Sequence, residues 1–340
     1  MRYLPLGSTG MQVSNLCLGA MMFGGRGNPD HDDAVRIIHS ALDRGINFID
    51  TADVYSRGES EEIVGKALKG RRDDVVLATK VHGAMGDDPN QQGNSRRWIR
   101  REIEASLRRL GTDHVDLYQI HRPSPETDIE ETLSVLTDLI REGKVRAIGC
   151  STFPAEQIVE AHWAAERRGL ERFRCEQPPY SIFDREIETS LLPTAERYGM
   201  GVIVWGPLSS GWLSGRYRSA ADIDLTAGRA RTRPDRFDPA LDSNQRRLEL
   251  IGELAKVAAD AGVSLLHLAI AFVTSHRAVT SAIIGPRTQE QADGLLTGQD
   301  VTLDSATLNR IDELVAPGTA VGGGKLWAPP WLADASLRRR

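Results

Sequence analysis

Cysteine is scarce in this chain of 340 residues, with single copies at positions 17, 150 and 175. Three scattered cysteines exclude a disulfide framework and a cysteine-based zinc site, and their apolar neighbours indicate buried thiols. The eight histidines form neither an H-x-H nor an HExxH pair. The sequence therefore lacks the ligand pattern of a metal-dependent hydrolase, and we predict no metal site.

Long apolar runs and an excess of basic residues are also missing. No run approaches the ~20 residues of a membrane span, and the opening MRYLPLGSTG has no apolar signal core. A net charge of −5 offers no attraction to nucleic acid or anionic membranes. We expect a cytoplasmic globular protein, monomeric or homo-oligomeric, with neither kind of partner.

Short apolar runs rich in β-branched residues are what the sequence does contain. After a hairpin formed by RYLPLG, a turn at Ser8 to Gly10 and MQVS, eight runs suit buried strands: NLCLGAM, INFID, VVLATK, VDLYQIH, VRAIGCS, RCEQ, GVIVWG and SAIIG. From Asp50 to Trp205 their ends lie roughly 30 residues apart, the length of a βαβ unit. This order predicts an α/β fold, a (β/α)8 TIM barrel with an N-terminal hairpin.

Helical patterns with recognisable ends separate the runs. Asp30 and the residues up to Asp33 can cap AVRIIHSALDRG, Ser60 precedes EEIVGKALKG, and Ser95 precedes a long amphipathic segment that stops at Gly111. Further helices fit IEETLSVLTDLIREG, AEQIVEAHWAAERRG, IETSLLPTAERYG and SNQRRLELIGELAKVAADAG.

Two stretches show no periodicity. We predict one barrel domain over 1–340, with a long loop at 218–242 on the active face and an extended Gly- and Pro-rich tail at 317–340.

Four residues with the chemistry of carbonyl reduction stand at or shortly after the strand ends: Asp50, Tyr55, Lys80 and His121. In a (β/α)8 barrel these ends meet on one face. Tyrosine holds its proton at neutral pH, and a nearby ammonium such as that of Lys80 eases its release. Asp50 can keep Lys80 charged and oriented, and His121 can hydrogen-bond a carbonyl oxygen.

Each residue also has a purely structural interpretation. Asp50 can cap a helix, Tyr55 can be a half-buried loop aromatic, Lys80 a surface charge and His121 a structural loop residue. The coincidence of all four at successive strand ends favours the catalytic interpretation.

The motifs around these residues resemble the aldo-keto reductases, from about Tyr3 to Leu296. They include DTADVY at Asp50 to Tyr55, TK at Thr79-Lys80, QIHRP at Gln119 to Pro123, LGAMMFG, YSIFDRE, WGPLSSGWLSGRY and IIGPRTQEQ. The opening YLPLGSTGMQVS is most similar to the bacterial and potassium-channel β-subunit branch. The resemblance implies a (β/α)8 barrel, extended binding of NADP(H) without a Rossmann fold, and carbonyl–alcohol interconversion.

The resemblance also implies roles for matching positions. Ser151 and Gln177 would bind the nicotinamide carboxamide, and Trp205 would stack on the ring. A loop would cover the pyrophosphate, and a later segment would bind the adenosine end. The full set of implied cofactor residues is Gly19, Ala20, Met21, Asp50, Ser151, Thr152, Gln177, Trp205, Gly206, Pro207, Leu208, Ser209, Gly211, Gly215, Arg216, Gly285, Arg287 and Gln291.

The chain departs from the family pattern at several cofactor positions. Thr152 stands where Asn is usual, Pro178-Pro179 follows Gln177, and Gly206 replaces a small polar residue. Gly294 and Leu295 occupy positions that often hold Glu and Asn at the adenine end. The expectation of NADP(H) over NAD(H) depends mainly on Arg287, which can pair a 2′-phosphate; a solvated Arg287 and a core Trp205 are the alternatives.

We expect an NADPH-dependent reductase of a small aldehyde or ketone. Met22, Phe23, Tyr55, His82, His121 and the tail residues Trp327 and Trp331 are candidates for the substrate wall. A short-chain dehydrogenase is disfavoured because no G-x-x-x-G-x-G loop follows the first strand and Tyr-x-x-x-Lys does not occur. A cofactor-binding regulatory subunit with slow turnover, and a sugar or secondary-metabolite alcohol dehydrogenase, remain alternatives.

Overall fold

Eight parallel strands form a closed barrel in the computed structural model, which describes residues 1–226, 230–231 and 233–322. They are β3 (Leu16–Gly19), β4 (Phe48–Asp50), β5 (Val76–Val81), β6 (Val115–Ile120), β7 (Val145–Ser151), β8 (Cys175–Gln177), β9 (Gly201–Val204) and β10 (Ser281–Ile284). Sequential strands are neighbours, and β10 closes the ring by pairing with both β3 and β9. Each of the eight predicted runs overlaps a barrel strand, which confirms the (β/α)8 fold.

The N-terminal hairpin closes one end of the barrel. Strands β1 (Tyr3–Pro5) and β2 (Gln12–Ser14) pair antiparallel. Leu6 and Val13 pack with inward-facing residues of the barrel strands, such as Phe48. Gly7 has a φ of +53°, and a Cβ there would lie 2.4 Å from the backbone N of Gly201. The close packing of the hairpin against β9 therefore requires glycine at position 7.

The helices cover the outside of the barrel, and the apolar layer between them and the strands forms the main core. They are α1 (His31–Asp43), α2 (Glu59–Leu68), α3 (Arg96–Leu110), α4 (Ile129–Arg141), α5 (Ala155–Arg168), α6 (Leu191–Arg197), α7 (Asp242–Asp260), α8 (Leu265–Ser275), α9 (Gln289–Leu296) and α10 (Ser305–Leu314). Asp30 and Ser95 accept backbone N–H groups as predicted caps, and Gly111 ends α3 with a φ of +64°.

Two predicted helix starts are wrong. Helix α2 begins at Glu59 after a left-handed Gly58, and Ser60 is buried inside it, where its hydroxyl donates to the Ala20 carbonyl at 2.8 Å. The sixth helix begins at Leu191 rather than near Ile187. Pro193 then lies in the first turn, where its missing N–H costs nothing; a longer helix would place it in the interior.

Between β9 and β10 the chain forms α7, which the sequence predicted, and α8, which it did not. Helix α8 is buried on almost every side, so it lacks the amphipathic period that marks a surface helix. In the predicted loop 218–242 the described residues form short 3₁₀ turns at Ala220–Asp222 and Pro234–Arg236. Phe237 then stacks on Trp212 with ring centroids 5.3 Å apart, which ties the end of this segment to the loop after β9.

The start of the predicted tail is tied to the barrel. Main-chain hydrogen bonds join Thr319 to Arg185 and Val321 to Phe183. Trp327 and Trp331 lie outside the described residues. Within the described part of the chain, no single helix is long and apolar enough to cross a bilayer; α7 and α8 meet that test only as a pair bent by 84°.

Candidate active site

Lys80 and Asp50 form an ion pair at the carboxyl ends of β5 and β4. The Lys80 ammonium donates to Asp50 Oδ2 at 2.5 Å and to the Thr51 carbonyl at 2.8 Å. Both side chains are buried, and no part of Lys80 is exposed. A buried ammonium requires such a partner, because burying an unpaired charge is very costly.

Tyr55 and His121 lie beside this ion pair and are only half-buried. The third contact of Lys80 Nζ is the Tyr55 hydroxyl, at 3.3 Å. The Tyr55 and His121 rings meet edge to face, with centroids 5.7 Å apart. The structure thus brings all four predicted catalytic residues together, with the charged pair buried and the two rings partly exposed.

The charge states of Lys80 and His121 differ for physical reasons. Burial alone would lower the pKa of Lys80, but the Asp50 carboxylate and the Tyr55 phenol outweigh it and raise that pKa above its ordinary value. Burial lowers the pKa of His121 well below its ordinary value, and the nearby Lys80 and Arg122 charges add to this effect. At neutral pH the site therefore holds an ammonium and a neutral imidazole.

Two glutamines complete the surroundings of Asp50. Gln119 on β6 and Gln177 on β8 donate from Nε2 to Asp50 Oδ1 at 3.1 Å and 2.9 Å. Together with Lys80 on the other oxygen, they satisfy a buried carboxylate. Gln119 was not among the predicted site residues, although a glutamine inside the apolar run VDLYQIH was the signal that could have revealed it.

The ends of β7 and β8 bring together the residues predicted to face the carboxamide. Ser151 pairs with Gln177 in the strand register and donates its hydroxyl to the Gln177 carbonyl at 2.9 Å. Thr152 follows with a left-handed φ of +61°. Arg122, which was not among the predicted site residues, donates to Thr152 Oγ1 at 3.0 Å and to the His121 carbonyl at 2.6 Å.

The loop after β9 contains a cluster of left-handed backbone conformations. Positive φ angles occur at Gly206, Ser209, Ser210, Gly211 and Gly215. A Cβ added at any of the three glycines would meet nothing within 4 Å. Two of the N–H groups close turns inside the loop: Ser209 donates to the Gly206 carbonyl at 2.8 Å, and Gly211 donates to the Leu208 carbonyl at 2.9 Å. The three glycines leave open space beside this backbone.

The other residues predicted for this loop differ in exposure. Pro207 is buried, Leu208 is partly buried and packs against the core, and Arg216 is exposed. Trp205 precedes the loop and is half-buried. Its indole Nε1 is fully buried and has no hydrogen-bond partner among the described residues.

The segment before α9 carries the residues predicted for the adenosine end. Gly285 is exposed and Arg287 is partly buried. The Gln291 side chain accepts the Arg287 backbone N–H at 2.9 Å, and Thr288 caps α9. In the described part of the chain no carboxylate pairs with the Arg287 guanidinium. The cation therefore stands beside a capped helix N-terminus.

The residues after β3 divide between packing and the site. Gly19 pairs with Asp50, and the Ala20 N–H donates to the Asp50 carbonyl at 2.8 Å, while Met21 and Met22 are partly exposed. Phe23 is completely buried in the main core, so it does not line an open wall.

His82 follows β5 and is partly exposed. Its Nδ1 lies 2.9 Å from Asn94 Oδ1. Asn94 in turn donates to the Arg122 carbonyl at 3.0 Å. His82 is thereby joined to the segment that carries His121.

Comparison with known proteins identifies the family. The model of the Aldo/keto reductase family matches residues 15–316. The chain belongs to the aldo/keto reductase family. An uncharacterized oxidoreductase, YrpG, of Bacillus subtilis is 37% identical over 96% of this chain and 100% of its own length.

Two further relatives show the breadth of the group. Aldo-keto reductase YhdN of Bacillus subtilis is 36% identical over 93% of this chain and 94% of its own. A probable voltage-gated potassium channel subunit beta of Arabidopsis thaliana is also 36% identical, over 93% and 97%. This aldo/keto reductase is an oxidoreductase of a family that binds nicotinamide cofactors.

The residues of this aldo/keto reductase fit such a cofactor. At Gly206, Gly211 and Gly215 the left-handed loop has no side chain and open space beside the backbone, which suits the close approach of a pyrophosphate. Among the described residues, the indole N–H of Trp205 has no hydrogen-bond partner and the Arg287 guanidinium has no carboxylate partner, so both can bind a ligand.

Proposed function

We propose that this protein is an NADP(H)-dependent oxidoreductase that interconverts small aldehydes or ketones with alcohols, using Tyr55 as the general acid and base. The observation that carries the proposal is the contact of Lys80 Nζ with both Asp50 and the Tyr55 hydroxyl, next to a neutral His121. A carbonyl bound above Tyr55 would meet a proton donor and a polar imidazole together.

The bound nicotinamide would supply or accept the hydride. In the reductive direction the carbonyl carbon gains that hydride while the Tyr55 O–H bond breaks and its proton passes to the carbonyl oxygen. The negative charge left on the Tyr55 oxygen faces the Lys80 ammonium 3.3 Å away, and a proton from water restores the phenol. His121, being neutral, can hydrogen-bond the substrate oxygen without competing as an acid.

The cofactor would lie along the sites described above. Ser151, Thr152 and Gln177 would hold the carboxamide, Trp205 would stack on the ring, and the left-handed loop would bind the pyrophosphate. Arg287 favours NADP(H) over NAD(H), because a guanidinium pairs a 2′-phosphate in a bidentate way. The three cysteines are buried free thiols, which agrees with a reducing compartment such as the cytoplasm.

The decisive experiment compares NADPH and NADH with a panel of aldehydes and ketones, for the wild type and Tyr55→Phe. We expect NADPH oxidation by the wild type and a loss of at least ~100-fold in Tyr55→Phe, with NADPH binding nearly unchanged. Full turnover by Tyr55→Phe would disprove the role of Tyr55, and a preference for NADH would disprove that of Arg287.

A second candidate function is a cofactor-binding subunit of a larger assembly with slow turnover. It is favoured by the relatives named as potassium channel beta subunits. Tight NADPH binding with negligible turnover across the whole carbonyl panel, and equally negligible alcohol oxidation with NADP+, would support this second function over the first.

A further inference from the structure

Glu176 on β8 is a buried carboxyl group for which the proposed reaction has no use. It lies between Cys175 and Gln177, and its side chain is completely buried. Oε1 accepts the Phe153 backbone N–H at 3.2 Å, whereas Oε2 is buried and has no hydrogen-bond partner among the described residues. A half-satisfied buried carboxyl is unfavourable for folding alone, so its position calls for another explanation.

The main chain that Glu176 contacts is strained. Thr152 has a φ of +61°, in the left-handed region that β-branched residues avoid. Three hydrogen bonds hold this turn: Thr152 N–H donates to the Gln177 carbonyl at 3.2 Å, Phe153 N–H to Glu176, and Arg122 to Thr152 Oγ1 at 3.0 Å. Such strain persists only where the surroundings hold it in place.

Arg122 joins this turn to the catalytic face. One guanidinium nitrogen, Nη1, contacts the His121 carbonyl at 2.6 Å, Thr152 Oγ1 at 3.0 Å and Ser151 Oγ at 3.4 Å. A single cation therefore connects the main chain of His121 to the residues predicted to hold the carboxamide.

We propose that Glu176 is a positioning residue whose ionisation state controls how firmly the Ser151–Thr152–Phe153 turn, and through Arg122 the His121 segment, is held for the nicotinamide end of the cofactor. This inference rests on the proposed cofactor function. It assigns to Glu176 no contact with the cofactor or the substrate.

The surroundings of Glu176 place its ionisation near neutral pH. Burial raises the pKa of Glu176 to about 7, against the opposing effects of the Cys150 thiol, the Phe153 and Thr152 N–H groups and the Arg122 charge. The Cys150 and Cys175 thiols that flank it stay protonated, because burial raises their pKa values well above the ordinary value. Ionised Glu176 is the stronger acceptor for Phe153 N–H and attracts Arg122.

The test measures dissociation constants for NADPH and for 2′-phospho-ADP-ribose, which lacks nicotinamide, by fluorescence titration at a series of pH values on both sides of 7. Both ligands carry the 2′-phosphate, so its ionisation changes both dissociation constants equally and has no effect on their ratio. In the wild type we expect the affinity for NADPH to rise about fivefold relative to the affinity for 2′-phospho-ADP-ribose as Glu176 ionises. Glu176→Gln keeps the acceptor but not the charge, and its ratio should stay flat with pH.

Amide hydrogen exchange of Phe153 gives a second readout that needs no ligand. Exchange in the wild type should slow as pH rises through 7, relative to the intrinsic rate, whereas Glu176→Leu should exchange fast throughout. Glu102→Gln is the matched control: Glu102 is also a buried carboxyl with a raised pKa, but it pairs with Arg109 and touches none of these residues.

The outcomes separate the two proposals. If the wild type binds neither NADPH nor NADH, the proposed function fails and this inference with it. If NADPH binds but the Glu176→Gln ratio follows the wild-type pH dependence, only the role of Glu176 is overturned. The same holds if Glu102→Gln flattens the ratio equally. If NADH binds better, NADH and ADP-ribose replace the ligand pair.

Discussion

Lys80 and Asp50 are 30 positions apart in sequence, yet their charged atoms lie 2.5 Å from each other in the interior of the barrel mouth. The pair is fully desolvated, and each partner makes a further contact: Lys80 with the Tyr55 hydroxyl, and Asp50 with two glutamine amides. The contact between Lys80 and Asp50 therefore both stabilises the buried charges and keeps an ammonium beside Tyr55.

Removal of the Lys80 charge should affect both stability and activity. Lys80→Met leaves Asp50 as a buried carboxylate without its cation, so we expect a loss of about 3–5 kcal/mol in the free energy of unfolding, together with loss of turnover. The double variant Lys80→Met/Asp50→Leu should recover much of the stability but none of the activity. Chemical denaturation and aldehyde reduction assays measure the two effects, and turnover by the double variant would contradict the role of Lys80.

His121 should remain neutral at pH values where an ordinary histidine is half protonated. Its pKa lies well below 6.5 because of burial and neighbouring cations. The unfolded chain therefore takes up a proton at His121 before the folded protein does, and this residue lowers folding stability as pH falls below 6.5. NMR of imidazole nitrogens should show the neutral form at pH 6.5, and an imidazolium signal there would refute the assignment.

Glu176→Gln should stabilise the protein at high pH. The folded pKa of Glu176 is about 7 and its ordinary value is 4.5. Because the folded state binds this proton more tightly, stability falls as pH rises from 4.5 to 7 and is lower by about 3 kcal/mol above that range. The variant should escape this loss, so its advantage over the wild type should grow with pH. Denaturation curves that differ by a constant amount at all pH values would rule out this explanation.

Thr152→Asn should relieve backbone strain without removing the Arg122 contact. Asn tolerates the left-handed conformation better than a β-branched residue, and its side-chain oxygen can accept the bond from Arg122. We expect a gain of about 1 kcal/mol in stability. Thermal unfolding checks this, with Thr152→Val as a control that keeps the strain and loses the acceptor. A lower unfolding temperature for Thr152→Asn than for the wild type would show that the turn is not strained.

Much of the fold was predictable because the signals are local. Parallel barrel strands are buried on both faces, so they appear in the sequence as short apolar runs. The helix ends were also visible, because Asp30 and Ser95 cap helices with their side chains and Gly111, which has no side chain, ends α3. Helix α8 lacked such a signal, because a helix buried on all sides has no polar face to give it a period.

The sequence by itself determined the barrel, the family and the identity of the four residues at the strand ends. Tertiary structure alone decided the contacts among them. Gln177 reaches Asp50 across 127 positions, and Arg122 spans 30 positions to Thr152. Phe23 turns into the core although the preceding Met22 is partly exposed. Barrel closure sets these distances, because it brings every strand end onto one ring whatever the separation along the chain.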